Sequence, residues 1–226
     1  MLQRIIFLYL IMASPSASAA EGIALYNELR ASVVTVQGFT PTPPSHDGKI
    51  GMFHTTGAGI ILDEQGIIAT NTHVIYGAQY IQVTLPTGEK LNASIVYIAP
   101  SEDVSLLKIT SSQPLTPIIW ADSNLVQLND EVITLGHSEL LKSTISGGHI
   151  RSIGIRQSDP QQTPEFLELD INHYQGDSGG PVFNRKGEFL GLMNAKRTSE
   201  NRACLVVPSN KVHFAYLSVA HPSQKR

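Results

Sequence analysis

Apolar and polar residues alternate in short runs along most of the chain, and β-branched residues are frequent in those runs. Period-two alternation between turn residues is typical of β-strands. Polar turns that end in glycine separate the runs, as at residues 63–66 and 86–88. The pattern predicts strands at residues 32–36, 56–62, 67–71, 80–85, 91–98, 104–109, 131–136, 143–150, 164–171, 181–183, 189–193 and 203–207.

Two segments instead have the apolar spacing of a helix. Residues 21–31 predict a short helix near the start of the chain, and residues 210–220 predict a closing helix. Residues 38–53 are rich in Pro, Thr, Gly and Asp, and their three prolines, Pro41, Pro43 and Pro44, exclude a central strand. We therefore expect a surface loop at 38–53.

Composition supports a turn-rich β protein. Gly and Pro together account for 31 of 226 residues, and charged residues for 15%. The length suits one large domain, and we find no internal repeat or linker in it. The formal net charge is −3, without a basic run of five residues, so we expect neither nucleic acid nor an anionic membrane as partner.

The first twenty residues predict a signal peptide. A positive start at Arg4, an apolar run at 5–12 and small residues at 17–20 fit export and cleavage, and the run is too short to span a bilayer. The mature domain would then be residues 21–226. Cys204 is the only cysteine, so no intrachain disulfide can form. An exported protein without disulfides fits a bacterial periplasm or exterior.

Candidate chemistry begins at residues 176–181, Gly-Asp-Ser-Gly-Gly-Pro. Glycines on both sides of Ser178 allow backbone conformations in which amide N–H groups converge beside the hydroxyl. One loop can therefore hold a nucleophile and an oxyanion hole. The alternative interpretation is a glycine-rich hairpin turn in which the serine is incidental.

His73 and Asp103 are the candidate partners of Ser178. His73 follows the strand predicted at 67–71, and Asp103 stands at the start of the one predicted at 104–109. A half-buried carboxylate there could accept a hydrogen bond from an imidazole N–H and hold its tautomer. Each residue alone is more typical of a structural role, but the order His, Asp, Ser is that of chymotrypsin.

These motifs resemble those of trypsin-like serine peptidases, and in particular the HtrA (Deg) type. The resemblance rests on residues 70–74, 103–109, 121–123, 176–181 and 207–210 and covers roughly residues 25–217. It implies an all-β fold of two six-stranded antiparallel β-barrels, at about 32–115 and about 120–210, with a Ser-His-Asp triad in the cleft between them.

The chain departs from the HtrA pattern in two places. Members of that branch usually carry Asn where this chain has Asp177, and they carry PDZ domains, whereas we expect none here because only sixteen residues follow Asn210. In trypsin the equivalent Asp pairs with an N-terminus released by cleavage. No Ile-Val-Gly-Gly start exists in this sequence, so we do not expect zymogen activation.

The resemblance implies roles for the site residues. His73 is the general base, Asp103 orients it, Ser178 is the nucleophile, and the backbone N–H groups of Gly176 and Ser178 form the oxyanion hole. The substrate strand adds to the sheet edge at residues 194–196. The pocket residues that the resemblance implies are Asn172 at the base and Asn194, Ala195, Lys196 and Cys204 in the walls.

Pocket preference is open between two classes of side chain. Asn172 offers no charge for Arg or Lys. His173 and Lys196 allow an acidic side chain, whereas Ala195, Cys204 and Val206 allow a small apolar one, which we expect. The substrate is a polypeptide. We expect no cofactor and no metal, since the eight histidines are scattered and no second cysteine exists.

Two other functions are compatible with the same residues. The chain could be a catalytically silent binding scaffold or chaperone-like protein that keeps the peptidase fold, or the triad could hydrolyse a non-peptide ester. The oligomeric state is open between a monomer and a homo-oligomer such as a trimer. Apolar residues Ile23, Leu25 and Tyr26 could either form a trimer contact or pack on the barrel.

Overall fold

The structure, a computed structural model, describes residues 15–44, 46–136, 144–155, 165–196 and 203–220. Their twelve strands form two closed barrels of six strands each, and every neighbouring pair of strands is antiparallel. This confirms the predicted all-β architecture. Residues 1–14, 45, 143 and 164 lie outside the described residues. Parts of the predicted signal peptide, of the predicted loop and of two predicted strands fall on them.

The first barrel closes in the order β1-β2-β3-β6-β5-β4. Its strands are β1 (Val33–Pro41), β2 (Met52–Ile61), β3 (Ile67–Thr70), β4 (Tyr80–Thr84), β5 (Lys90–Ala99) and β6 (Val104–Lys108).

The second barrel closes in the order β10-β11-β12-β9-β8-β7. Its strands are β7 (Glu131–Gly136), β8 (Thr144–Ile155), β9 (Phe166–Leu169), β10 (Pro181–Asn184), β11 (Phe189–Lys196) and β12 (Cys204–Pro208).

The described residues also contain three α-helices, α1 (Pro15–Arg30), α2 (Thr72–Ile75) and α3 (Ser209–Ala220). α1 and α3 confirm the two predicted helices, although α1 begins six residues earlier than expected. The single turn of α2 was not predicted, since four residues are too few for a periodic signal. None of the helices in the described part of the chain has the length and apolar character needed to cross a membrane.

The prediction of a surface loop over residues 38–53 is wrong at both ends. β1 and β2 continue as a hairpin to the pair Pro41 and Met52, and β1 also pairs with β4 as far as Phe39 and Tyr80. The rings of Phe39 and Tyr80 lie 5.5 Å apart. This cross-strand contact stabilises the extension. Pro41 is tolerated because the pairing of β1 with β4 ends at Phe39, so Pro41 lies at an edge of the sheet.

Each barrel has its own apolar interior, and a third apolar cluster joins them. The joining cluster contains Val33 and Ile60 from the first barrel and Phe183, Phe189 and Leu205 from the second. Leu29 of α1 is buried in it, and Leu25 and Tyr26 pack against it, whereas Ile23 is exposed. Of the three apolar residues near the N-terminus, two therefore pack on the barrels.

Hydrogen bonds also hold the two barrels face to face. The Ala58 N–H of β2 donates to the Ser178 carbonyl oxygen (2.8 Å), and the Ile118 N–H donates to the Ile61 carbonyl oxygen (3.1 Å). The first of these bonds places the loop before β10 against the first barrel. Side chains from α2, from the turn before β6 and from the loop before β10 therefore meet in one cleft.

Candidate active site

Asp103 and His73 form a two-point contact at one rim of this cleft. The His73 backbone N–H donates to Asp103 Oδ1 (2.9 Å), and His73 Nδ1 lies 2.6 Å from Asp103 Oδ2. The aspartate side chain is 20% exposed and the histidine 47%. Because the carboxylate accepts at Nδ1, the other ring nitrogen, Nε2, is left as the acceptor.

The backbone of Asp103 has a left-handed conformation, with φ of 51°. Asp is one of the few residues other than Gly that adopts this region, and such strain concentrates at functional sites. Asn71 Nδ2 donates to the Asp103 carbonyl oxygen (3.0 Å), and the Thr72 N–H donates to the same oxygen (3.3 Å). These bonds hold Asp103 in the orientation that reaches His73.

Asn194 links the two barrels at this point. Its Nδ2 donates to Asp103 Oδ2 (2.5 Å), so this carboxylate oxygen accepts from both Asn194 and His73. Its backbone carbonyl oxygen accepts the hydroxyl proton of Ser178 (3.0 Å). One residue of β11 therefore contacts both the carboxylate of Asp103 and the hydroxyl of Ser178. Sequence reasoning placed Asn194 in the pocket wall and missed this double contact.

The loop that carries Ser178 is built on glycines with positive φ. Gly176 has φ of 98° and Gly179 has φ of 80°, a region that L side chains rarely adopt. A Cβ on Gly179 would collide with the Ala58 carbonyl oxygen of β2. The close approach of the two barrels therefore requires glycine at residue 179.

The backbone N–H groups of Gly176 and Ser178 are available to a ligand. Within the described part of the chain neither N–H donates a hydrogen bond, whereas the N–H groups of Asp177, Gly179 and Gly180 all do. Buried amides normally have acceptors. Two donors without acceptors on either side of one residue are compatible with the predicted oxyanion hole.

His73 and Ser178 line the same cleft, which has a volume of about 310 Å³. Its lining also includes Gln175 and Gly176 from the loop before β10, and residues 53–56 of β2 with Val74 of α2. Among the described residues, however, the Ser178 hydroxyl bonds to Asn194 and His173, and no hydrogen bond joins it to His73. The triad of His73, Asp103 and Ser178 stays a prediction, with its first two members in direct contact.

Comparison with known proteins decides the family. The model of the trypsin-like peptidase domain matches residues 57–192, which is more than half of the chain. The chain belongs to the trypsin-like peptidase family. The match includes the positions of His73, Asp103 and Ser178.

Among curated proteins this peptidase domain is similar to HtrA-type enzymes. It is 31% identical over 149 residues to the periplasmic serine endoprotease DegP of Escherichia coli (strain K12), covering 66% of this chain and 31% of the relative. It is 29% identical over 219 residues to the serine protease HTRA4 of Mus musculus, covering 90% of this chain and 43% of the relative. The chain thus spans less than half the length of these relatives.

A solved structure shows the same fold. The HtrA-type protease AlgW, determined with a tripeptide, has a TM-score of 0.76 at 20% identity, and the match covers 89% of this chain and 64% of that one. The resemblance to the HtrA type is therefore confirmed, and the fold is that of the trypsin-like peptidases.

Asp177 distinguishes the peptidase domain from the HtrA pattern of Asn at this position. Its side chain is buried, with Oδ2 accepting from the Tyr174 N–H (2.8 Å) and Oδ1 without a hydrogen-bond partner among the described residues. Burial raises the pKa of this carboxyl, and the bond from Tyr174 opposes the rise. The partner that sequence reasoning left open is thus a single backbone amide.

His173 lies closer to the nucleophile than sequence reasoning anticipated. Its Nε2 is 3.4 Å from Ser178 Oγ, and its Nδ1 is 3.5 Å from Cys204 Sγ on β12. Burial, and to a lesser degree the positive charge that His73 can carry, lower the pKa of His173 to about 4. The sequence signal for this contact was the position of His173 directly after Asn172, the predicted pocket base.

Of the remaining predicted pocket residues, Cys204 contacts His173. Cys204 is fully buried, and burial raises the pKa of its thiol. Ala195 is half-buried, whereas Asn172 is exposed and donates through Nδ2 to the Tyr174 hydroxyl (3.3 Å). The side chain of Lys196 lies outside the described residues, and its backbone pairs with Cys204.

Proposed function

We propose that this chain is a serine endopeptidase that hydrolyses peptide bonds through an acyl-enzyme on Ser178, in the periplasm or exterior of a bacterium. The observation that carries the proposal is the His73–Asp103 pair, which opens into the same cleft as Ser178 and the two free N–H groups. Family membership and the periplasmic location of the similar DegP support it.

The substrate strand binds along the edge of β11. β10 pairs with β11 only from Phe189 to Leu192, so the described residues leave the edge at 194–196 without a strand on that side. An extended peptide can pair there through its main chain. Its N–H then donates to the Asn194 carbonyl oxygen, which accepts the Ser178 hydroxyl in the free enzyme.

Release of Ser178 from Asn194 begins the reaction. The Ser178 side chain rotates about χ1 to the staggered rotamer that faces the cleft. His73 Nε2 then takes the hydroxyl proton as Oγ bonds to the peptide carbonyl carbon. The carbonyl oxygen becomes an oxyanion and accepts from the N–H groups of Gly176 and Ser178. Asp103 stabilises the imidazolium through the 2.6 Å contact.

Collapse of the tetrahedral intermediate breaks the C–N bond, and His73 returns its proton to the leaving amine. Water then attacks the ester on Ser178 with His73 again as base, which releases the acid and restores the hydroxyl. These residues and one water molecule account for every bond made and broken in the two steps.

A second candidate, a catalytically silent scaffold, is favoured by one observation. Ser178 bonds to Asn194 and His173, not to His73. If that arrangement persists when a peptide is bound, the fold would bind polypeptides without cleaving them.

A fluorophosphonate probe together with casein hydrolysis separates the candidates. We expect both labelling and hydrolysis in the native chain and neither in Ser178→Ala, with a loss of several powers of ten in rate. Ser94→Ala, which removes an exposed hydroxyl from β5, is the matched control and should react as the native chain does. Absence of labelling across pH 5 to 9 would support the scaffold. Labelling by the probe together with hydrolysis of an ester substrate, but not of casein, would support an esterase.

A further inference from the structure

His173 joins the nucleophile to the wall of the predicted pocket. Its ring lies between Ser178 Oγ (3.4 Å from Nε2) and Cys204 Sγ of β12 (3.5 Å from Nδ1). Cys204 pairs with Lys196 on the β12 side of β11, opposite the edge that has no neighbouring strand. Ser178 Oγ, which contacts the imidazole, also donates to the carbonyl oxygen of Asn194 at that open edge, so the ring lies beside the place at which the substrate strand would bind.

The hydrogen bonds around His173 determine which ring nitrogen carries the proton. Ser178 has one hydroxyl proton, which it donates to the Asn194 carbonyl oxygen, so Oγ can only accept from His173. Nε2 is then the protonated nitrogen and Nδ1 the bare one. The Cys204 thiol keeps its proton, because burial raises its pKa, and it has two acceptors at 3.5 Å from Sγ, Nδ1 of His173 and the Leu205 carbonyl oxygen.

His173 is an uncharged donor at neutral pH. Desolvation is the main cause of its lowered pKa of about 4, and repulsion from His73 adds to it. The titratable groups around it are His73 on α2, Cys204 on β12 and Asp177, whose charge acts on Cys204. A carboxylate of the substrate would lose its hydration beside this uncharged ring without a positive charge to compensate, whereas a neutral oxygen acceptor can bind the N–H without that cost.

The reaction frees this donor for the substrate. When Ser178 Oγ bonds to the peptide carbon it leaves its present position, and the Nε2–H loses its acceptor. A buried N–H without an acceptor is costly. The side chain on the carbonyl side of the cleaved bond enters next to Ser178. Because His173 Nε2 lies only 3.4 Å from Ser178 Oγ, a short side chain with an oxygen close to its Cα reaches this N–H.

We propose that His173 is the specificity-determining residue of the peptidase. It selects peptides whose residue on the carbonyl side of the cleaved bond has a short side chain with an oxygen acceptor, such as Thr, Ser or Asn. This inference rests on the proposed function. It refines the expectation of a small apolar side chain by adding one polar group at the tip of the pocket.

Isosteric pairs of peptides test the proposal. Substrates that differ only in Thr or Val, and in Asn or Leu, at the cleaved residue have nearly the same shape and differ in the acceptor. We expect kcat/KM to be about tenfold higher for Thr than for Val, the effect of one hydrogen bond. In His173→Leu the ratio should fall to about one, and in His173→Gln, which keeps an N–H donor, a preference for Thr should remain.

His149→Leu is the matched control, because His149 lies on β8 outside the cleft and contacts Asp170. It should keep the Thr-to-Val ratio of the native chain. A native preference for Val over Thr, or an unchanged ratio in His173→Leu, would overturn the proposal.

Failure of the proposed function gives a different result. A native chain that neither reacts with the fluorophosphonate nor hydrolyses any peptide of the set would reject the peptidase. In that case binding of the same peptides to Ser178→Ala, measured by calorimetry, decides the role of His173. Tighter binding of the Thr peptide that is lost in the double variant with His173→Leu supports the proposal, and equal affinities for Thr and Val peptides overturn it.

Discussion

At the scale of single residues, Asp103 shows how hydrogen bonds support an unfavourable backbone. A left-handed φ costs a non-glycine residue about 1–2 kcal/mol. Five donors offset that cost at Asp103. The Asn71 side chain and the Thr72 N–H bond to its carbonyl oxygen, and the backbone and ring of His73 and the side chain of Asn194 bond to its carboxylate. The carboxylate is thereby held in one orientation before any substrate arrives.

Asp177 is the opposite case, a buried carboxylate with one donor. Because burial raises its pKa, the folded chain binds the proton of Asp177 more tightly than the unfolded chain does. Stability therefore falls as the pH rises above about 4, the value of an unfolded Asp, and the penalty is complete above the raised pKa. Asp177→Asn should raise the free energy of unfolding at pH 7 by about 1–2 kcal/mol.

Urea unfolding of the native chain and of Asp177→Asn between pH 3 and pH 8 measures this effect. The two stabilities should converge at the acidic end. Asp130→Asn is the control, since Asp130 is exposed and also accepts one backbone bond, from the Gln127 N–H (2.8 Å). A difference between native chain and Asp177→Asn that did not change with pH would contradict the prediction.

At the scale of elements, the loop before β10 depends on its fit against β2. The Ser178 carbonyl oxygen accepts from the Ala58 N–H, the Thr70 hydroxyl donates to the Ala58 carbonyl oxygen (2.7 Å), and Gly179 lies against that same oxygen. A Cβ on Gly57 would also approach the Ser178 carbonyl oxygen to 2.8 Å. The position of Ser178 is therefore determined by strands of the other barrel.

Gly179→Ala should displace this loop. The new Cβ meets the Ala58 carbonyl oxygen, so we expect fluorophosphonate labelling of Ser178 to fall at least a hundredfold and thermal stability to decrease. Gly154→Ala is the matched control, because Gly154 also has a positive φ (73°) but has open space around its Cα. It should cost only about 1 kcal/mol of backbone strain. Equal effects of the two substitutions would show that the positive φ, and not the contact with Ala58, causes the loss.

At the scale of the whole molecule, the two barrels share one apolar cluster and should unfold together. Phe189 of β11 is fully buried in that cluster, and Trp120, the only tryptophan, packs edge-on against it with ring centroids 5.6 Å apart. Tyr216 of α3 lies 6.0 Å from the same tryptophan. Tryptophan fluorescence thus reports on the junction of the barrels and the closing helix.

Phe189→Ala should lower the free energy of unfolding by about 3–5 kcal/mol through lost burial and the cavity left behind. Fluorescence and far-UV circular dichroism should still report a single coincident transition in urea. Phe214→Ala, at a ring on α3 that is 71% exposed, is the control and should change stability by no more than about 0.5 kcal/mol. Separate transitions for the two signals would show that the barrels unfold independently.

The sequence by itself determined the strands, the closing helix and the loop that carries Ser178. Alternation, turn residues and a glycine-rich run are local properties, and a chain of 226 residues with twelve such runs has few ways to bury them. The prediction from sequence missed the hairpin beyond Gly38. The prolines there suggested a loop, and the stabilising contact of Phe39 with Tyr80 is non-local.

Only the tertiary structure decided how the site residues meet. Asn194 is 91 residues from Asp103 in the sequence, and His173 is 31 residues from Cys204. Contacts at such separation depend on how two closed barrels pack, and on which of several acceptors a rotating hydroxyl takes. No pattern of neighbouring residues specifies those choices, whereas the geometry of the barrels places the Ser178 hydroxyl against Asn194 and His173.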